Sequence, residues 1–203
     1  MAGSDDPLMV MVADSYSSLA DLLGDLGPEA WEAASLCEGW RVREVVAHLT
    51  MPVRYDEEAF TAELRECQFD FTRLSNRVAA RDAELPVTEL VANLRDPVMR
   101  TWTPPGGGSA GALSHVVIHG LDITAALGER RRASDEAVVA VLDGLAAGGG
   151  HAHFGADIEG LRLEATDLDW SYGSGGRTLR GSADDLVLHL CGRTVPAGRL
   201  GDA

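Results

Sequence analysis

Apolar residues recur with a helical period along most of the chain. Pro7 opens a segment in which Leu8, Val12, Leu19, Leu22, Leu23 and Leu26 share one stripe, closed by Gly27-Pro28. A second helix is predicted from about Arg41, with Val42, Val45, Val46 and Leu49 at i, i+3, i+4 and i+7 and Pro52 near its end. Residues 56–83 are predicted as one mostly helical stretch with Phe60, Leu64, Phe71, Leu74 and Val78 turned inward, and residues 87–102 as a shorter helix. Pro104-Pro105-Gly106-Gly107-Gly108 breaks the pattern, and residues 110–127 resume it until Gly128. Ser134 caps one more helix, with Asp135 and Glu136 in its first turn and an end at Gly148-Gly149-Gly150.

The period then shortens. Leu161-Arg-Leu-Glu-Ala alternates as a half-buried strand does, residues 171–176 carry turn chemistry, and Arg177-Thr-Leu-Arg suits a returning strand. Ser182 caps a final helix to about Cys191. The expected fold is therefore mainly α: a helical bundle over residues 1–150 followed by a small α+β domain over residues 151–203. Self-similarity at a fixed period is not visible.

Composition narrows the function classes. Aromatics are 5% of residues, so Leu, Val and Ala must build the core, which favours helices over a β-sandwich. The formal net charge is −15, from 32 acidic and 17 basic residues. Such a surface repels polyanions, so neither nucleic acid nor an anionic membrane is the expected partner. The opening residues lack the basic start and apolar core of a leader, and runs such as Leu8–Ala13 are too short to span a bilayer, which together suggest a cytoplasmic protein. Cys37, Cys67 and Cys191 are odd in number and widely spaced, the pattern of reduced, buried thiols.

Six histidines are present. His115 and His119 stand four apart, so on a helix both rings project from one line, a turn apart, where they can share one metal. Two satisfied core histidines would show the same spacing. The zinc-protease pattern needs a Glu directly after the first His, and Val116 stands there, which argues against that chemistry. Asp122, three residues past His119, can accept a ring N–H from it and fix its tautomer. On the second helix His48 falls about 240° from Val42, bordering the buried stripe, where ligands from facing helices converge in bundles. Three histidines leave a coordination position open to water or substrate, the catalytic arrangement. Nitrogen donors suit Zn2+ first and Ni2+ or another late metal next. His151 and His153, after the glycines, are expected on an exposed loop from which either could supply a further ligand; His189 is expected to pack on its helix.

These residues resemble a known family. Cys37-Glu-Gly-Trp-Arg-Val-Arg-Glu-Val-Val-Ala-His48-Leu is similar to the entry helix of the mycothiol-dependent maleylpyruvate isomerase family, one of the DinB-like metal-binding four-helix bundles. His119-Gly-Leu-Asp122-Ile-Thr-Ala-Ala-Leu-Gly resembles its second metal segment, and Ala165 to Arg193, closing on Leu-Cys-Gly-Arg193, its small C-terminal domain. The resemblance implies a metal, with zinc foremost, on His48, His115 and His119, with Asp122 behind them. It implies a low-molecular-weight thiol, mycothiol, as cosubstrate, and Arg193 as a catalytic and cofactor-binding arginine that grips an anionic or polar ligand. Trp40 matches a packing tryptophan. His115 departs from the pattern, since the family places a glutamate there; three neutral imidazoles leave the metal one negative charge poorer and favour a bound thiolate. The expected activity is thiol transfer to, or cis–trans isomerisation of, a small electrophile. A zinc-hydroxide hydrolase or a non-catalytic metal- and ligand-binding protein would use the same histidines. The electrophile and the oligomeric state stay open.

Overall fold

The computed structural model describes residues 6–202. The opening residues 1–5, part of the segment on which the leader reading rests, lie outside the described residues. Four helices form a bundle: α1 (Pro7–Asp25), α3 (Val42–Leu49), α6 (Phe71–Asp82) and α8 (Gly108–Leu127), with α1 packed on α8, α8 on α3 and α3 on α6. Pro7 supplies the fixed φ of a first turn, and the Asp6 carboxylate accepts the N–H of Leu8 at 3.0 Å. Gly128 ends α8 in the left-handed conformation at φ 69, which its lack of a Cβ permits. Short elements complete the ring: α2 (Pro28–Glu32), α4 (Met51–Arg54), α5 (Glu57–Glu66), α7 (Val87–Leu94) and a 3-10 turn at Pro97–Arg100.

By length and composition α8 is apolar enough to cross a membrane. Here it is a central core helix, flanked by α1, α3, α9 (Asp135–Gly144) and α11 (Ala183–Leu190), with Leu113, Val116, Val117 and Ile123 buried.

Several details differ from the sequence expectations. The helix expected over 87–102 ends at Leu94, and Pro97 opens a separate 3-10 turn. The stretch 56–83 is two helices, because Gln68 and Phe69 turn the chain with φ of 57 and 62. Phe71 consequently opens α6 at 55% exposure instead of pointing inward, while Leu74 and Val78 are buried. The Gly148–Gly150 run does not stop its helix. Gly148, at φ 122, lies inside a wide turn Leu145–Gly149, and α10 (Gly150–Phe154) follows directly. His151 and His153 therefore sit on a short helix, both exposed, and not on a loop.

The C-terminal part is a four-stranded sheet ordered β2-β1-β3-β4, from β1 (Leu161–Ala165), β2 (Ser171–Tyr172), β3 (Arg177–Gly181) and β4 (Gly201–Asp202). Residues 171–172 are paired antiparallel to β1, so the chain reverses before Arg177 and β3 runs parallel to β1. Ser182 caps α11 through the Asp185 N–H at 3.1 Å. One face of α11 lies on α8 and α9 and another on the sheet, so the main apolar core runs from Val12 to Cys191, beside a smaller cluster of Met51, Cys67, Leu74 and Val78. Trp170 adds a bond from its indole N–H to Asp143 at 2.8 Å.

Candidate metal centre

His48 lies in the last turn of α3, and both ends of that helix are tied down. At the start, Glu44 accepts the backbone N–H of Arg41 at 2.8 Å. At the end, the Arg54 guanidinium donates to the Thr50 carbonyl at 3.1 Å and to that of Ala47 at 2.5 Å, placing a cation on the carbonyl end of the helix. His48 is 7% exposed and Trp40 leans on it, ring centroids 5.1 Å apart. His115 and His119 come from the middle of α8 as the spacing requires.

The three rings form a near-equilateral triangle. Centroids lie 5.0 Å apart for His48–His115, 4.9 Å for His48–His119 and 5.1 Å for His115–His119. One nitrogen of each lies within 4.8 Å of the other two, and His48 Nε2 and His115 Nε2 approach to 3.1 Å. Donors around a tetrahedral zinc with bonds of about 2.05 Å stand roughly 3.3 Å apart. Burial, helped by the neighbouring imidazoles, holds His48 well below the usual histidine range and His115 down to about 3. Both are therefore neutral near pH 7, with lone pairs to offer. The donor set fits one divalent cation.

What lies behind the rings is unequal. Asp122 accepts from His119 Nδ1 at 3.0 Å, which leaves His119 Nε2 for the triangle. Tyr16 of α1 reaches His115 Nδ1 at 3.4 Å. Among the described residues, His48 Nδ1 is buried with no hydrogen-bond partner. Trp102 leans against His115 at 5.5 Å between centroids, a half-buried ring on an otherwise exposed loop.

Asp122 is itself fully buried and heavily bonded. Arg193 forks onto it, Nε to Oδ1 at 2.8 Å and Nη2 to Oδ2 at 2.9 Å, and the Cys37 thiol donates to Oδ2 at 2.9 Å. Burial alone would raise the Asp122 carboxyl, but the bonds from Arg193 and His119 outweigh it and hold its pKa below the ordinary carboxylate range. Arg193, expected to grip an exogenous ligand, is placed beside the triad with its fork on Asp122 and 18% of its side chain exposed.

The sequence carried no sign of Tyr16 or of Cys37 as members of this cluster. Cys37 sits in a turn drawn tight by Ser35, whose hydroxyl donates to the Trp40 carbonyl at 2.8 Å, with Gly39 at φ 78. The Leu36 N–H donates to the Asp122 carbonyl at 3.0 Å and so fixes the turn on α8. Burial, and then the Asp122 charge, pushes the Cys37 thiol up, in keeping with its role as a proton donor to Asp122. Cys37, His119 and Asp122 also stand within 4.8 Å of one another. Arg193 already puts a positive charge on that trio, its Nη2 3.4 Å from the Cys37 sulfur, so the trio supports the triad and is no second cation site. His151, His153 and His189 stand outside both groups.

Comparisons with known proteins bear on the fold. No curated protein matches the sequence. A crystal structure of the mycothiol-dependent maleylpyruvate isomerase superposes with a TM-score of 0.59 at 17% identity, covering 98% of this chain and 94% of that one. A structure of a histidine-to-alanine mutant of the same isomerase superposes equally well, with a TM-score of 0.59. The family described as mycothiol maleylpyruvate isomerase N-terminal domain matches residues 12–103, a span that includes Tyr16, Cys37 and His48 and ends before His115 and His119. Residues 12–103 thus match the mycothiol maleylpyruvate isomerase N-terminal domain family, and the chain as a whole takes the fold of that isomerase.

Proposed function

We propose that this protein is a metal-dependent enzyme that activates a low-molecular-weight thiol, mycothiol by its family, for transfer to or cis–trans isomerisation of a small electrophile. The observation that carries the reading is the convergence of three imidazoles on one point, with His115 and His119 only partly covered. A divalent cation held there, zinc first, would supply Lewis acidity that lowers the pKa of a thiol at the remaining coordination position.

The chain's own groups do the rest. His48, His115 and His119 hold the cation without adding negative charge, so its pull on an anionic sulfur is undiminished. Asp122 orients His119, and Arg193 together with Cys37 keeps that carboxylate ionised and in place. The faces of Trp40 and Trp102 flank the triad and present apolar walls to an unsaturated substrate. Arg193 has donor capacity on the same side for a carboxylate or thiol-bearing ligand, if its fork on Asp122 opens.

The test is a titration of the cobalt-loaded protein with mycothiol or a simple thiol. A sulfur-to-cobalt charge-transfer band that saturates, followed by a screen for thiol adducts of unsaturated acids, supports the reading. Cobalt that binds with no band at saturating thiol, but with a visible spectrum titrating near neutral pH, would put the zinc-hydroxide hydrolase in its place.

A further inference from the structure

The three rings need three different things from their surroundings, and α1 supplies one of them. For His115 to offer Nε2 beside His48 Nε2, its proton must sit on Nδ1, and the group facing Nδ1 is the Tyr16 hydroxyl at 3.4 Å. Tyr16 follows Val12 by four residues and precedes Leu19 by three, so it belongs to the buried stripe of α1 that packs on α8. Packing alone asks only for an apolar ring or branched side chain there. A phenol adds a polar atom at a position 2% exposed, where an unpaired hydroxyl is costly. Among the described residues its hydrogen-bond partner is His115.

We propose that Tyr16 is a positioning residue for the metal: its oxygen accepts the Nδ1 proton of His115 and holds that imidazole in the tautomer that turns Nε2 toward His48 and His119. This rests on the metal reading above. It also explains how an imidazole is accommodated where the resembling family has a glutamate, since a carboxylate ligand has no ring proton to place. The 3.4 Å separation is long for a hydrogen bond, as functional contacts often are in sites without their ligand. A neutral phenol, unlike the Asp122 carboxylate behind His119, fixes the ring without lending it negative charge.

The experiment is a double-mutant cycle on zinc affinity, measured by competition with a chromogenic chelator, with variants Tyr16→Phe, His115→Glu and the pair. Tyr16→Phe keeps the ring and removes only the oxygen. It should weaken zinc binding about tenfold, the low end for a lost partner of a ligating histidine. It should also shift the ligand-field bands of the cobalt-loaded protein, while the metal-free melting temperature stays near wild type. In the His115→Glu background the same change should have no effect on affinity, because the proton it serves is gone. Equal affinity for wild type and Tyr16→Phe would overturn the proposal. Equal losses in both backgrounds would also overturn it, by making Tyr16 a packing residue. A wild type that takes up no zinc would instead overturn the metal reading, and this proposal with it.

Discussion

Arg193→Met is the perturbation whose size follows most directly from the geometry. Asp122 is 0% exposed and carries a charge that Arg193 compensates with two bonds of 2.8 and 2.9 Å. Removing one partner of a buried, hydrogen-bonded ion pair costs about 3–5 kcal/mol, because the other charge is stranded. Asp122 would keep its bonds from His119 and Cys37, and the Arg193 side chain is already 18% exposed, so the low end, about 3 kcal/mol, applies. With a urea slope of about 2 kcal/mol/M, the unfolding midpoint should fall by about 1.5 M. The assay is urea denaturation of the metal-free protein at pH 7, followed by far-ultraviolet circular dichroism. Asp122→Asn combined with Arg193→Met removes the stranded charge, so the pair should cost clearly less than the two single changes added together. A midpoint for Arg193→Met within about 0.3 M of wild type would refute the reasoning, since at that slope less than about 1 kcal/mol would depend on the fork.

Acid should destabilise the metal-free protein through His115. Its folded pKa of about 3 lies below the unfolded value of about 6.5, so the unfolded chain binds more protons between those limits. Stability is unaffected by this group above pH 6.5 and falls by up to about 1.4 kcal/mol per unit as the pH drops toward 3. Urea midpoints at pH 7, 5.5 and 4.5 should decline more steeply in wild type than in His115→Leu, and matching slopes would remove the imidazole as the cause. Among the ligand variants, His119→Ala should lose about tenfold more zinc affinity than His48→Ala, because a charged acceptor backs His119 whereas His48 Nδ1 has none. The reverse order in a chelator competition would contradict that ranking. Gly175→Ala should cost at least about 2 kcal/mol, because its Cβ would stand 1.9 Å from the Gly160 carbonyl oxygen and the backbone would have to move. A melting temperature equal to wild type would show that the approach is not needed.

The long-period elements were legible because their apolar positions recur at helical spacing and their ends carry local caps and breakers. The stripes of α1, α3 and α8, and the Ser134 and Ser182 caps, are local signals that the packing did not override. The His115–His119 pair and Asp122 were legible for the same reason, all three lying on one face of one helix. What was missed is non-local or unsignalled. The turn at Gln68-Phe69 has neither Gly nor Pro to announce it, and left-handed backbone at a Phe is outside the usual turn chemistry. The parallel pairing of β3 depended on a two-residue strand too short to show alternation. Gly148–Gly150 looked like a stop because glycine runs usually end helices. Gly150 is instead needed for close approach, since a Cβ there would lie 3.2 Å from the Leu190 carbonyl oxygen. Cys37 and Tyr16 meet α8 across 85 and 99 residues of sequence, and nothing in their own neighbourhoods reveals the partner. Arg193 was picked out by position, but its bonds to Asp122 come only from the way the chain after α11 returns to α8.

Metal uptake by the purified chain tests the central claim most directly. Stripped protein would be titrated with zinc in a calorimeter, wild type beside His48→Ala and His115→Ala, with circular dichroism to confirm that each variant is folded. A metal centre on His48, His115 and His119 predicts one zinc bound per wild-type chain and strongly weakened binding in both folded variants. A folded wild type that takes up no zinc or nickel, or variants that bind as tightly as wild type, would contradict it.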